Sequence, residues 1–119
     1  MDQFDQLDVL ARLDLIFESR NGSRRWIIVE MGLPTIGEKG WWECRVNLIG
    51  IDNRTRRTYG VYAMQAIWLT LRFIANSLED LQEHGGRFLD RDGEDFSLDA
   101  CFGNAMLRTR QSKTEDPSP

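Results

Sequence analysis

Polar and apolar residues alternate early in the chain. Over residues 9–17, Val9, Ala11, Leu13, Leu15 and Phe17 fall on one side of an extended strand, and Arg12 and Asp14 fall on the other. Asn21-Gly22 follows, a pair able to adopt the positive φ angles of a tight hairpin, and residues 26–31 (WIIVEM) read as the returning strand. Three glycines and a proline make residues 32–40 a loop. In the next apolar run, residues 41–50, Trp42, Cys44, Val46 and Leu48 share one face while Glu43, Arg45 and Asn47 share the other, as in a third antiparallel strand. Residues 52–56 are a turn, and residues 57–59 add a short extended piece.

The period then changes from two to between three and four. A helix is predicted from Gly60 or Val61 to about Glu83, where His84-Gly85-Gly86 ends it. Met64, Ile67, Trp68, Leu71, Ile74, Ala75, Leu78 and Leu81 form its main apolar stripe, with Tyr62, Leu69 and Phe73 beside it. A single layer of three strands covers the first stripe and leaves the second bare. Either the C-terminal segment, with Phe88, Leu89, Phe96, Leu98, Phe102, Met106 and Leu107, folds back over the helix, or the surplus surface meets a partner or a second copy. The expected fold is α+β: an antiparallel sheet of three to four strands, a hairpin plus a third strand, on one long α-helix covered by the C-terminal segment. Residues 1–107 form a single domain in this reading, and residues 108–119, nearly free of apolar side chains, a disordered tail.

Composition narrows the function. With 41% hydrophobic and 29% charged residues the chain is an ordinary globular one. A formal net charge of -4 speaks against a nucleic-acid partner, because such binding rests on Lys and Arg neutralising phosphates. The opening MDQFDQLDVL lacks a basic leader and a continuous apolar segment, so neither a secretory signal nor a membrane span is expected, and the cytoplasm is the expected compartment. Cys44 and Cys101 are too few and too far apart for a disulfide framework or a zinc site and read as reduced packing residues.

No residue set reads as catalytic, and no cofactor or metal is expected. Residues 90–95 (DRDGED) invite a calcium reading, but placing Gly93 at the sixth loop position puts Phe88 at the first ligand position, and starting at Asp90 puts Asp95 where the glycine belongs. A solvated acidic turn fits better. His84, the only histidine, stands in the last helical turn with no triad or metal set around it, and no signature joins it to either cysteine. Arg54, Arg56 and Arg57 precede the helix and make either a hydrated turn or an anion-binding corner at its N-terminus. Trp41 and Trp42 point to opposite faces, so one enters the core while the other is left near the surface as an anchor for a partner.

Tyr59, Gly60, Val61, Met64, Gln65 and Ala66 resemble a small family of uncharacterised bacterial domains, in which a hairpin and a third strand lead to Tyr-Gly-Val-x-x-hydrophobic-Gln-Ala and a long apolar helix. The resemblance runs from about residue 10 to residue 90 and implies an α+β fold without assigning a chemistry. By general type the chain is also similar to the small acidic immunity proteins that neutralise bacterial toxins. Between Glu79 and Asp99 eight acids face only Arg87 and Arg91. The leading expectation is therefore a non-catalytic protein that inhibits a basic toxin or secreted effector, with Glu83, Asp90, Asp92, Glu94, Asp95 and Trp41 as contacts. The alternative is a homodimeric structural or regulatory domain associating through Tyr62, Leu69 and Phe73.

Overall fold

The computed structural model describes residues 3–103. Six strands, β1 (Val9–Ser19), β2 (Arg24–Gly32), β3 (Thr35–Ile36), β4 (Trp42–Ile49), β5 (Arg56–Gly60) and β6 (Gly86–Leu89), form one antiparallel sheet. Helix α1 (Ala63–Glu83) lies across one face, and the short helix α2 (Leu98–Phe102) packs beside it. The expected α+β fold is the one observed. Met106, Leu107 and the predicted tail lie outside the described residues.

The β1–β2 hairpin turns by a different device from the one expected. Ser19 N–H donates to Ser23 O and Gly22 N–H to Ser19 O, and only Gly22 takes a positive φ, 87°. This is a three-residue loop with a glycine bulge rather than a two-residue turn with two left-handed residues. Asn21 acts through its side chain instead, its Oδ1 accepting from Ser23 N–H at 3.0 Å. Two strands extend the sheet beyond the predicted set. β3 occupies part of the expected loop and pairs with the start of β4, Thr35 opposite Glu43 and Ile36 opposite Trp42. β6 comes from the C-terminal segment and pairs with the end of β1, placing the Phe17 and Phe88 rings 5.2 Å apart. That segment therefore extends the sheet before α2 turns over the helix.

Leu15, Phe17, Ile27, Val29, Cys44, Val46 and Leu48 fill the core from the sheet side, as alternation implies. Val9 and Ala11 do not join them; both are exposed, next to an irregularity in the β1–β2 register. The helix differs more. It starts at Ala63, because β5 continues to Gly60 and Tyr62 is still extended (φ -119°, ψ 151°). Its buried residues are Ala66, Thr70, Ile74, Ala75, Leu78 and Glu79, whereas Met64 and Trp68, expected in the main stripe, are 82% and 41% exposed.

Close packing explains the displacement. A Cβ on Gly60 would lie 2.8 Å from the Ala66 nitrogen, so the strand leading into α1 and the first turn of α1 are in backbone contact. Thr58 hydrogen-bonds Thr70 across the same seam, and Thr70 Oγ1 donates to Ala66 O at 2.8 Å. Only small side chains fit there. Rotating Ala66 and Thr70 inward turns Met64 and Trp68 outward.

The sheet face away from α1 is polar and partly covered by the N-terminal segment. Gln3 N–H bonds Asn53 O, Asp5 N–H bonds Thr55 Oγ1, and Leu33 N–H bonds Asp8 O. Asn47 is only 2% exposed on this face, with Nδ2 donating to Asp5 O and Oδ1 accepting from Thr55 Oγ1. At the other end, Glu18 accepts from Arg24 on β2 and Arg87 on β6, tying three strands together. Those two hydrogen bonds, from Arg24 first and Arg87 second, hold the Glu18 carboxyl below its ordinary pKa.

Two predictions follow from these contacts. Gly60→Ala, although free of dihedral strain, forces the seam apart and should lower stability by about 1–3 kcal/mol in urea unfolding, the usual range for overpacking. Because the Glu18 pKa is lower folded than unfolded, its stabilisation is complete at neutral pH and is lost as pH falls through the depressed value. Glu18→Gln should therefore cost stability near neutral pH, and the gap from the unsubstituted protein should close in acid, at pH values below about 4.

Candidate functional site

Predicted contact residues fall on opposite edges of the sheet. Asp90 to Asp95 form the turn after β6. Gly93 N–H donates to Asp90 O, Asp90 N–H to Glu94 O, and Asp90 Oδ1 accepts from the amides of Asp92 and Glu94 at 2.8 and 3.0 Å. Asp90 thus builds the turn, while Asp92 and Glu94 project into solvent and enter no salt bridge among the described residues. Asp95 pairs with Arg87 at 3.0 Å. Between this turn and β1 lies an open hollow of about 550 Å³, lined by Arg12, Asp14, Asp90, Arg91, Asp92 and Phe96 among others.

Glu83 is exposed at the end of α1, on a separate element, and Glu79 is buried. Trp41 precedes β4 and is 53% exposed, with Trp42 half-buried against the core. The strand order places three strand spacings, roughly 14 Å, between β4 and β6. Trp41 and the acidic turn therefore do not form one contiguous patch.

The basic group is also arranged differently from the expectation. Arg56 and Arg57 belong to β5, away from the first helical turn. Arg56 is hydrogen-bonded to Asp52, whose carboxyl is pulled below its ordinary pKa first by that bond. Arg57 reaches Asp5 at 3.0 Å and Glu43 at 3.6 Å on the opposite face of the sheet. Residues 54–58 and Phe73 border a hollow of about 460 Å³. The first helical turn has no side-chain cap, although Gln65 Oε1 accepts from Val61 N–H at 2.7 Å and pins the strand-to-helix corner.

Sequence reasoning missed a group of exposed apolar residues at that corner. Tyr59 is 55% and Tyr62 72% exposed, and Val61, Met64 and Trp68 are exposed as well, Trp68 with Arg72 stacked 5.4 Å over its ring. The helical period had assigned Met64 and Trp68 to packing, whereas Tyr62 was already expected beside the main stripe as a contact for a second copy. Tyr62 and Phe73 do lie along the β5 side of α1, with Leu69 between them, and Phe73 borders the hollow there.

A third hollow, about 220 Å³ and mostly apolar, opens between α1, α2 and the β1–β2 pair, with Leu71, Ile74, Cys101 and Phe102 in its wall. Cys101 is exposed and Cys44 buried, its Sγ–H donating to Gly32 O at 3.4 Å. Burial pushes the Cys44 thiol above its ordinary pKa. His84 Nδ1 is bonded to Asp80 O at 2.7 Å. Among the described residues no group of three His, Cys, Asp or Glu side chains is placed to hold a metal ion, and no helix is long and apolar enough to cross a membrane.

These features define a small α+β domain whose sheet has two chemically different edges and a cluster of exposed aromatic side chains at its strand-to-helix corner. The chain belongs to the family described as a domain of unknown function, DUF6968, whose model matches residues 13–99. No curated protein and no solved structure matches it. The match takes in most of β1, the rest of the sheet, α1 and the start of α2. In the folded protein a thiol reagent should modify Cys101 quickly and Cys44 only on unfolding. Equal native reactivity, read by mass spectrometry of Cys44→Ser and Cys101→Ser, would contradict the closed core around Cys44.

Proposed function

We propose that this domain is a non-catalytic protein-binding module, and within that class an immunity protein that inhibits a cognate bacterial toxin or secreted effector by covering its active or substrate-binding surface. The observation that carries the reading is the turn after β6. Its internal hydrogen bonds to Asp90 hold Asp92 and Glu94 outward without salt-bridge partners among the described residues. A turn whose backbone is fixed before an encounter loses little freedom on binding, and the carboxylates it exposes accelerate association with a basic surface. The adjoining hollow beside β1 offers Asp90, Asp92 and Phe96 together, a polar wall next to an aromatic ring.

The test compares the unsubstituted protein with Asp92→Lys/Glu94→Lys. The tagged protein should capture one basic protein in stoichiometric amount from extracts of its source, and co-expression should relieve that protein's toxicity. In the double variant association should slow by roughly 10-fold or more at low ionic strength, with a much weaker dependence on salt. Identical kinetics for the two proteins would remove the turn from the interface. Capture of a partner whose activity persists in the complex would overturn the inhibitor reading.

A further inference from the structure

β5 is paired on one side only. It bonds β4 through the register Trp42–Gly60, Glu43–Tyr59, Cys44–Thr58, and among the described residues no strand pairs with its other side, although Gln3 bridges Arg54 just before it. The direction of its backbone groups can be worked out. Gly37 N–H donates to Trp41 O, so the odd-numbered residues of β4 turn toward β3 and the even-numbered ones toward β5. Gly60, Thr58 and Arg56 stand opposite those even residues. The N–H and C=O groups of Arg57 and Tyr59 therefore point out of the sheet edge.

The sequence along this edge is self-complementary. Residues 54–62 read RTRRTYGVY, with arginines before Thr58 and tyrosines after it. Antiparallel pairing of two such edges about Thr58 sets Arg57 opposite Tyr59 and Arg56 opposite Gly60, with no arginine opposite an arginine; Arg54, bridged to Gln3, stands outside the pairing. A shift of the two-fold axis to residue 57 faces Arg57 with Arg57, and a shift to residue 59 sets Arg57 opposite Val61, whose N–H is already held by Gln65 Oε1. The same register joins the outward groups of Arg57 to those of Tyr59 of the other copy. Directly opposite residues share a face. Arg57 and Tyr59 thus meet on the polar face, where a guanidinium over an exposed ring is attracted by it.

Gly60, without a side chain, leaves room for Arg56 opposite it.

We infer that β5 is the contact surface for a second copy of this chain, the two copies joining edge to edge through Arg57 and Tyr59 in a two-fold dimer with one continuous sheet. This inference does not depend on the inhibitor reading, which uses the opposite edge. Sedimentation equilibrium of the full chain is the test, with Tyr59→Arg and Tyr59→Glu as paired variants and circular dichroism confirming that both fold. Position 59 is exposed, and the two substitutions place opposite charges against Arg57 of the second copy.

The unsubstituted protein and Tyr59→Glu should both be dimeric, while Tyr59→Arg dissociates with an affinity at least about 10-fold weaker. A monomer at every concentration would overturn the proposal, as would a dimer that Tyr59→Arg leaves intact, which would place the contact elsewhere. Equal loss with Arg and Glu at position 59 would overturn the register.

Discussion

The fit of Gly60 against the backbone at Ala66 governs how this protein presents itself. A strand and the helix that follows it are joined by only Val61 and Tyr62, so the helix must start almost on top of the strand it leaves. Glycine on one side and alanine on the other allow that approach, Gln65 ties the Val61 amide across the corner, and Thr58 and Thr70 satisfy each other inside the seam. Once these small residues face inward, the rotation of α1 is fixed. Met64 and Trp68 turn to solvent, and Tyr62, Leu69 and Phe73 come to lie along the β5 side. Surface chemistry at one end of the molecule is thus a consequence of backbone packing beneath it.

The polar sheet face solves a different problem. Asn47 shares the polar face of β4 with Glu43 and Arg45 but is almost wholly buried, a position that is costly for an amide unless each of its groups is paired. Thr55, Asp5 and Glu30 supply those partners, two of them from segments far away in sequence. The N-terminal residues are thereby held across β4, and Asp5 in turn anchors Arg57. Burial of one asparagine links the start of the chain to the β5 edge.

Long, regular elements were legible in the sequence, and short or seam-dependent ones were not. β1 and β4 carry five or more alternating positions each, enough for period to identify them, and β2 was legible as the apolar run that follows Asn21-Gly22. β3 has two residues and β6 four, and neither is long enough to show a period; both exist because a neighbouring strand offers an unpaired edge. The helix was found, and Ile74, Ala75 and Leu78 of its predicted stripe are buried, but its first turns were misread, since a hydrophobic scale ranks Met64 and Trp68 above Ala66 and Thr70 while packing at a close seam selects for small size. The acidic turn was located correctly, whereas the division of labour within it, Asp90 structural and Asp92 and Glu94 outward, depends on hydrogen bonds that no spacing rule reveals.

The two sheet edges are unequal in a way that bears on assembly. An open β edge invites pairing with any other open edge, and a basic edge facing an acidic one would favour head-to-tail growth into filaments. Here the acidic side is closed to such growth. β6 is bridged on its outer side by the returning segment, Leu89 pairing with Asp95 and Phe88 O accepting from Phe96 N–H, and the 90–94 turn stands beside the exposed stretch of β1. β5 retains outward backbone groups at Arg57 and Tyr59. An edge that pairs with its own copy closes after two subunits, because a two-fold contact consumes both surfaces at once. The order Arg57-Thr58-Tyr59 then disfavours the register that would face Arg57 with itself, among the several that backbone pairing alone would permit.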